Sequence, residues 1–439
     1  MDKQISLLTF APLFSKREQA APFEGENKNS MRYNTLTLPN GLRVIHQPAE
    51  SPILYCGFQI AAGSRHEEPQ EYGIAHLCEH MAFKGTKHRK AWHLTNTLEA
   101  LGAELNAFTT KEHTVYYAAL LKQYTAKAVE ILADIVFHAS YPESELCKEI
   151  DVVGDEIETF NDSPAELIYD EFENILFKGH PLGHSILGKT QQLKTYTPQM
   201  LSRFRDKHYR TDNAVFFAYG DIDFKKLVAL LQKYTPGRPT GDLPAVTVPH
   251  AQITDTHAET ITLKHHTHLA HVMVGSRSYS LNHPNRISLY LLNNILGGPA
   301  SNARFNNMLR EKKALVYNVE STHAYYLDTG VWSVCFAAEK QNVQKCLRLI
   351  HKELQHMCDT QLTDTQLKAA KKQIKGQIAL GAESHEQMAL DFGKAMLFNA
   401  AEQDMQTLCQ RIDEVTAQQL QQVTCEIFRE DRLTTLIIE

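Results

Sequence analysis

Apolar and polar positions alternate from Thr35 to Leu38 and from Leu42 to Ile45, on either side of Pro39-Asn40-Gly41. Alternation broken by Pro-Asn-Gly predicts two strands joined by a tight hairpin. Another apolar strand covers residues 53–62 and runs into Gly63-Ser64-Arg65. The period then lengthens towards 3.6, predicting helices over 72–84 and 91–101, with strand material between them and the next helix over 104–122. A long helix is expected over 124–138, and Pro142 opens a further one over 143–160. Asn213 to Tyr219 reads as a strand ending at Gly220-Asp221, followed by a helix to about Tyr234.

From Tyr234 to Thr256 the rhythm stops. Pro236, Gly237, Pro239, Gly241, Pro244 and Pro249 give this stretch linker chemistry. Beyond it the pattern returns. Ala62-Gly-Ser-Arg65 recurs as Val274-Gly-Ser-Arg277, an offset of 212, which also carries Gly85 onto Gly297. A helix over 287–296, strand material over 331–338 and a long helix over 341–357 continue the echo. The division expected is therefore residues 31–234 as one domain, 235–256 as linker and 257–439 as a second, homologous domain. Residues 1–30 are expected to be a poorly ordered extension. Their short apolar stretch resembles a signal peptide only faintly, because Asp2 precedes Lys3 and Ser15-Lys16-Arg17-Glu18 is a poor cleavage region.

Composition narrows the class. With 439 residues the chain exceeds one ordinary core, and 43% hydrophobic with 22% charged residues describes a globular protein rather than a disordered one. A net charge of -6 gives no basic face for nucleic acid. No apolar run reaches the roughly 18 to 20 residues that span a bilayer. The eight cysteines form no C-x-x-C pair and no disulfide framework, which points to reduced thiols and a cytoplasmic setting.

The chemistry concentrates in His76-Leu-Cys-Glu79-His80. Residues four apart on a helix lie one above the other, so His76 and His80 share a face, and Glu79 lies beside them. Two imidazoles so placed can hold one Zn2+ at roughly 2.0 to 2.1 Å. A catalytic zinc site takes a third protein ligand and leaves a position for water. Candidates lie on the acidic helix at Glu149 and Glu156, seven residues and two turns apart. Periodicity does not choose between them. Cys78 is turned about 200° from His76 and is expected in the core. His265, His266, His268 and His271 are divided between two faces by strand alternation and read as ordinary polar strand residues.

Taken together, these segments resemble the pitrilysin/insulinase/mitochondrial processing peptidase family. His76-Leu-Cys-Glu-His-Met-Ala-Phe-Lys-Gly-Thr86 is similar to its active-site helix. Leu101-Gly-Ala-Glu-Leu-Asn-Ala-Phe-Thr109 is similar to its substrate-binding edge strand, and Glu149-Ile-Asp-Val-Val-Gly-Asp-Glu156 to its distal ligand helix. His180-Pro-Leu-Gly183 and Leu309-Arg-Glu-Lys-Lys-Ala-Leu-Val-Tyr317 also fit. Pro299 and Ala300 depart from the pattern, standing where further glycine is common. The likeness covers about residues 31–439. It implies an α+β fold of two homologous domains, each a mostly antiparallel sheet flanked by helices, forming a bowl-like half of a clamshell. It also implies one zinc per chain on His76, His80 and Glu156, with Glu149 supporting the site from behind and Glu79 as general base. Arg310 and Tyr317 would contact substrate and steady the transition state, and an extended peptide would lie along Asn106, Ala107 and Phe108. The short-chain members imply a homodimer whose sites are completed in trans. At the 212 offset the ligand positions fall on Ser288, Leu291 and Leu292, so the second half is expected to hold no zinc. The function expected is that of a zinc endopeptidase acting on unfolded peptides. The alternatives are a non-catalytic scaffold of the same fold and a peptide-binding receptor or chaperone.

Overall fold

A computed structural model describes residues 33–237, 258–400 and 404–439. The proposed extension at 1–30 and all but the first residues of the proposed linker at 235–256 lie outside these.

The first half runs β1 (Asn34–Thr37), β2 (Arg43–Pro48), β3 (Ile53–Ile60), α1 (Ile74–Ala82), α2 (Ala91–Glu99), β4 (Glu104–Thr109), β5 (Thr114–Leu121), α3 (Thr125–His138), α4 (Glu143–Asn161), α5 (Pro164–Leu176), α6 (Thr190–Leu193), α7 (Pro198–His208), β6 (Ala214–Gly220) and α8 (Phe224–Tyr234). The second half runs β7 (Thr260–Leu263), β8 (Ala270–Ser278), α9 (Arg286–Gly297), β9 (Val319–Tyr325), β10 (Gly330–Ala338), α10 (Val343–Asp359), α11 (Asp364–Gly381), α12 (His385–Leu397), α13 (Met405–Glu414), α14 (Ala417–Ile427) and β11 (Thr434–Ile438). The fold is α+β, with two sheets flanked by helices.

The hairpin forms where the sequence places it. Thr37 pairs with Arg43, and Gly41 takes a φ of +91°, which a residue without a Cβ adopts freely. Sheet one has the order β1-β2-β6-β3-β5-β4, and only β2 and β6 run parallel. Sheet two has the order β7-β11-β8-β10-β9, with β7 and β11 parallel. Among the described residues each sheet has two edge strands, and the one that comes after the first helix of its half is β4 in one and β9 in the other.

From β2 to β4 and from β7 to β9 the two sheets share one strand topology, but its register differs from the sequence expectation. Gly57 of β3 lies opposite Tyr117, and Gly275 of β8 lies opposite Ser333. A Cβ at either glycine would meet a neighbouring strand's carbonyl, Tyr116 O at 2.3 Å or Trp332 O at 2.2 Å. Gly57 and Gly275 are thus the matching positions. Gly63-Ser64-Arg65 forms a short turn after β3, whereas Gly275-Ser276-Arg277 lies inside β8. The tripeptide match is a coincidence of sequence. Helices α1 and α9 nevertheless start 212 residues apart, so the comparison of their faces stands.

Both faces of each sheet are apolar, and the two halves cover them by exchanging a helix. The α5 residues Leu167, Ile168, Phe172 and Leu176 pack into sheet two against Met273, Val331, Leu436 and Ile438. In return, Met388, Ala389 and Phe392 of α12 pack onto sheet one against Ile45, Val115, Val215 and Phe217. Polar contacts seal the junction. Arg65 pairs with Glu112 and, at 2.7 Å, with Asp328, and Gln59 Nε2 donates to the Leu390 carbonyl at 2.7 Å. A buried guanidinium held by two carboxylates is costly to separate, so this junction is expected to be stiff.

Candidate active site

Helix α1 starts at Gly73, whose φ of +90° and close approach to the Leu187 carbonyl leave no room for a side chain. Two N–H groups at the start of the helix are taken by Glu67, a residue that no motif or periodicity singled out. Its carboxylate accepts from Gly73 N at 2.9 Å and Ala75 N at 2.8 Å, and His184 Nε2 lies 3.1 Å away. A carboxylate at a helix N-terminus also meets the positive end of the helix dipole. Glu67 arrives from a loop, so no helical period could have revealed it.

On this fixed helix His76 and His80 point towards α4, while the Glu79 carboxylate meets Thr109 at the end of β4. His80 Nε2 lies 3.5 Å from Glu156 Oε2, and His76 Nε2 lies 3.9 Å from the same oxygen. One ligand atom from each of His76, His80 and Glu156 falls within 4.8 Å of the others, and no other such group of His, Cys, Asp or Glu occurs among the described residues. The His265, His266, His268 and His271 cluster forms no such group. Glu149, two turns before Glu156, does something different. Its Oε1 lies 3.0 Å from His80 Nδ1, and its Oε2 accepts from Lys84 Nζ at 2.6 Å. The two glutamates that periodicity left equivalent differ in space, with Glu156 on the Nε2 side of His80 and Glu149 on its Nδ1 side.

Burial and charge divide the two imidazoles. Burial, reinforced by neighbouring His80, lowers the His76 pKa to about 4, keeping it neutral. Burial also disfavours a charged His80, but the carboxylates of Glu149 and Glu156 outweigh it and push its pKa up to about 10. The Nδ1 of His76 is buried without a hydrogen-bond partner. Glu79 is buried, and desolvation raises its carboxyl to about 7 against the opposing pull of His80 and Thr109. Two imidazoles and a carboxylate converging on one point suit zinc, which takes nitrogen and oxygen ligands in tetrahedral sets.

The remaining expected residues are dispersed. Asn106 is exposed on β4, Ala107 is buried, and Phe108 packs edge-on to His113 and Tyr117. Arg310 stands in a short π-helical turn beside Glu311, and Tyr317 is 86% exposed. No hydrogen bond or ion pair among the described residues links either to the His76–His80–Glu156 group. Cys78 is buried with its thiol directed at the Leu201 carbonyl, 3.7 Å away. In the second half Ser288, Leu291 and Leu292 are buried on α9.

The chain is similar to known proteins along most of its length. Residues 43–190 match the family model for insulinase, peptidase family M16, and residues 195–374 match that of the peptidase M16 inactive domain. An uncharacterized zinc protease of Bacillus subtilis, YmxG, is 30% identical over 91% of this chain and 97% of its own length. The beta subunit of the mitochondrial processing peptidase of Bos taurus is 30% identical over 88% of this chain and 80% of its own. The fold matches a protease of Helicobacter pylori with a TM-score of 0.85 at 23% identity, covering 93% of this chain and 99% of that one. An M16 inactive-domain structure from Pseudomonas fluorescens superposes with a TM-score of 0.84 at 19% identity, covering 93% of this chain and 97% of that one. By sequence over nearly its whole length, this chain belongs to the insulinase family of zinc proteases, peptidase family M16.

Proposed function

We propose that the protein is a zinc-dependent endopeptidase that hydrolyses extended peptides at the His76–Glu79–His80–Glu156 site. The observation that carries this is the meeting of three ligand atoms within 4.8 Å beside a buried carboxylate, Glu79, that is not one of them. His76, His80 and Glu156 would hold one zinc per chain. Glu149 would fix the ring of His80 through Nδ1, leaving Nε2 for the metal. A zinc so bound supplies Lewis acidity, lowering the pKa of water from 15.7 towards about 7 and polarising a peptide carbonyl.

Glu79 then acts as general base and passes the proton to the leaving amine. Its buried position suits the task, since desolvation brings its pKa to about 7, near the working pH. The open edge of β4 receives the substrate at Asn106, Ala107 and Phe108 by main-chain pairing, which requires an extended backbone. Among the described residues Arg310 and Tyr317 make no hydrogen bond or ion pair to this chain's site, and the exposure of Tyr317 supports a homodimer in which these residues reach the partner's site. The eight free thiols support a cytoplasmic setting. No described helix is long and apolar enough to cross a membrane.

The test separates metal from base. Glu79→Gln should retain stoichiometric zinc by elemental analysis while kcat falls roughly 10²- to 10⁴-fold. His76→Ala should lose the metal itself. Near-normal turnover in Glu79→Gln would overturn the assignment of the base.

A further inference from the structure

Alternation along β4 sends Leu105, Ala107 and Thr109 to the face covered by α1, and Asn106 and Phe108 to the other. Thr109 is the last residue of that edge strand, and its hydroxyl lies 2.6 Å from Glu79 Oε2. A carboxylate without a proton only accepts, so the threonine donates. A second hydroxyl, that of Thr114, lies 3.3 Å from Thr109 Oγ1, but it sits 2.9 Å from the Ala62 carbonyl. With the Thr114 proton committed to Ala62, the single Thr109 proton is directed to the closer and stronger acceptor, Glu79. No other hydrogen bond to the Glu79 carboxylate occurs among the described residues.

We propose that Thr109 is the positioning residue for the base: its hydroxyl fixes Glu79 Oε2, turns Oε1 towards the water to be deprotonated, and ties the carboxylate to the strand that receives the substrate. The proposal rests on the reading of Glu79 as general base. It gives one strand two tasks. The main chain of β4 sets the register of the peptide, and the hydroxyl at its end sets the orientation of the group that must act on that register. Orientation is a large lever in catalysis, because displacement of a reacting group by about 1 Å can cost on the order of 100-fold.

The counterpart in the second half makes the same point by contrast. The register that matches Tyr117 with Ser333 sets Tyr325 of β9 where Thr109 stands in β4. Tyr325 donates its hydroxyl to the backbone carbonyl of Arg286 at 3.2 Å, a contact that only joins strand to helix.

The experiment compares Thr109→Val, which keeps the shape and strand propensity but removes the hydroxyl, with Thr109→Ser, which restores the hydroxyl. Val should lower kcat about 10- to 100-fold while KM stays within about twofold. Zinc stoichiometry and the thermal unfolding of the metal-free chain should not change, and Ser should recover most of the rate. In a Glu79→Gln background, Thr109→Val should cost nothing further, because the group it orients is gone. The proposal fails if Val turns over like wild type, if Ser is as slow as Val, or if the loss follows loss of zinc or of fold. These outcomes are separable from failure of the base assignment. An active Glu79→Gln protein removes that assignment, whereas an inactive Glu79→Gln with a fully active Thr109→Val removes only the role of Thr109.

Discussion

Helices α1 and α9 occupy matching places in the two halves, each following a central strand and preceding an open edge strand, yet they present opposite chemistry. Helix α1 buries His76 and Glu79 beside His80, is capped by the fully buried Glu67, and faces the acidic α4. Helix α9 buries Ser288, Leu291 and Leu292 at the corresponding positions and has no side-chain cap at Asn285. The same scaffold is thus used once to hold charge and once to pack apolar surface. Charge in a low-dielectric interior persists only where each group has a partner, and the first half supplies those partners from outside the helix, namely Glu67, Thr109, Glu149 and Glu156. A metal site is therefore a property of the surroundings as much as of the helix.

The sharpest break of this comparison would come from the dimer. If the second half serves the zinc site of a partner chain, Glu79→Gln protein mixed with a severely impaired Arg310→Ala/Tyr317→Phe protein should regain activity after subunit exchange. Random 1:1 exchange makes half the dimers mixed, and each has one intact site, so activity should rise to roughly a quarter of wild type for independent sites. Completion within one chain predicts no recovery, because every site keeps a defect. Peptide turnover measured alongside demonstrated exchange decides between them.

What the sequence revealed follows from how far each signal reaches along the chain. His76, Glu79 and His80 were legible because one helical turn brings them together, and the β1–β2 hairpin because Pro39-Asn40-Gly41 encodes its own turn. Helices α3 and α4 were placed within a residue or so for the same reason. Glu149 and Glu156 share a face two turns apart, so periodicity could not separate them; the family resemblance implied Glu156 as the ligand, and the approach of α1 puts Glu156 on the Nε2 side of His80. Glu67 and Thr109 reach α1 from a loop and a strand, through contacts that leave no period. An amphipathic helix declares that it has an apolar face, but not which sheet will cover it, so the exchange of α5 and α12 was invisible. The Gly-Ser-Arg recurrence misled because three residues carry too little information to fix a strand register.

The cap on α1 sharpens the comparison next. Glu67→Gln removes the charge that faces the helix N-terminus and disturbs its two backbone hydrogen bonds. It should lower stability by about 1 to 3 kcal/mol and weaken zinc binding, as measured by denaturant unfolding and by competition with a chelator. Asn285→Ala at the start of α9, where no side chain caps the helix, should stay within about 0.5 kcal/mol of wild type. Equal losses at both would mean that the two helices are held by packing alone, and the contrast drawn from their termini would not stand.

The smallest effect concerns the exchanged helices. Both carry an acid to the junction, Glu173 half-buried and Asp391 buried. On α5, Glu173 accepts the Tyr326 hydroxyl at 2.8 Å on each oxygen. On α12, Asp391 accepts from Gln387 Nε2 at 2.9 Å on one oxygen, and the other has no partner. Burial pushes the Asp391 carboxyl up to about 8, against the weaker pull of Gln387 and Lys394. In an unfolded chain an aspartate titrates near 3.9. Between about pH 4 and pH 8 the folded protein therefore holds a proton that the unfolded chain has released, and this group's contribution to stability falls as pH rises through that window. Asp391→Asn, neutral at every pH, removes that slope. Relative to wild type, the variant should gain on the order of 2 kcal/mol of stability between pH 6 and pH 7.5. Taking the difference between the two proteins cancels the titration of the histidines, which both share. A difference that does not change with pH would mean that Asp391 is ionised in the folded protein, held by a counter-charge, and that both exchanged helices bring a satisfied carboxylate to the junction.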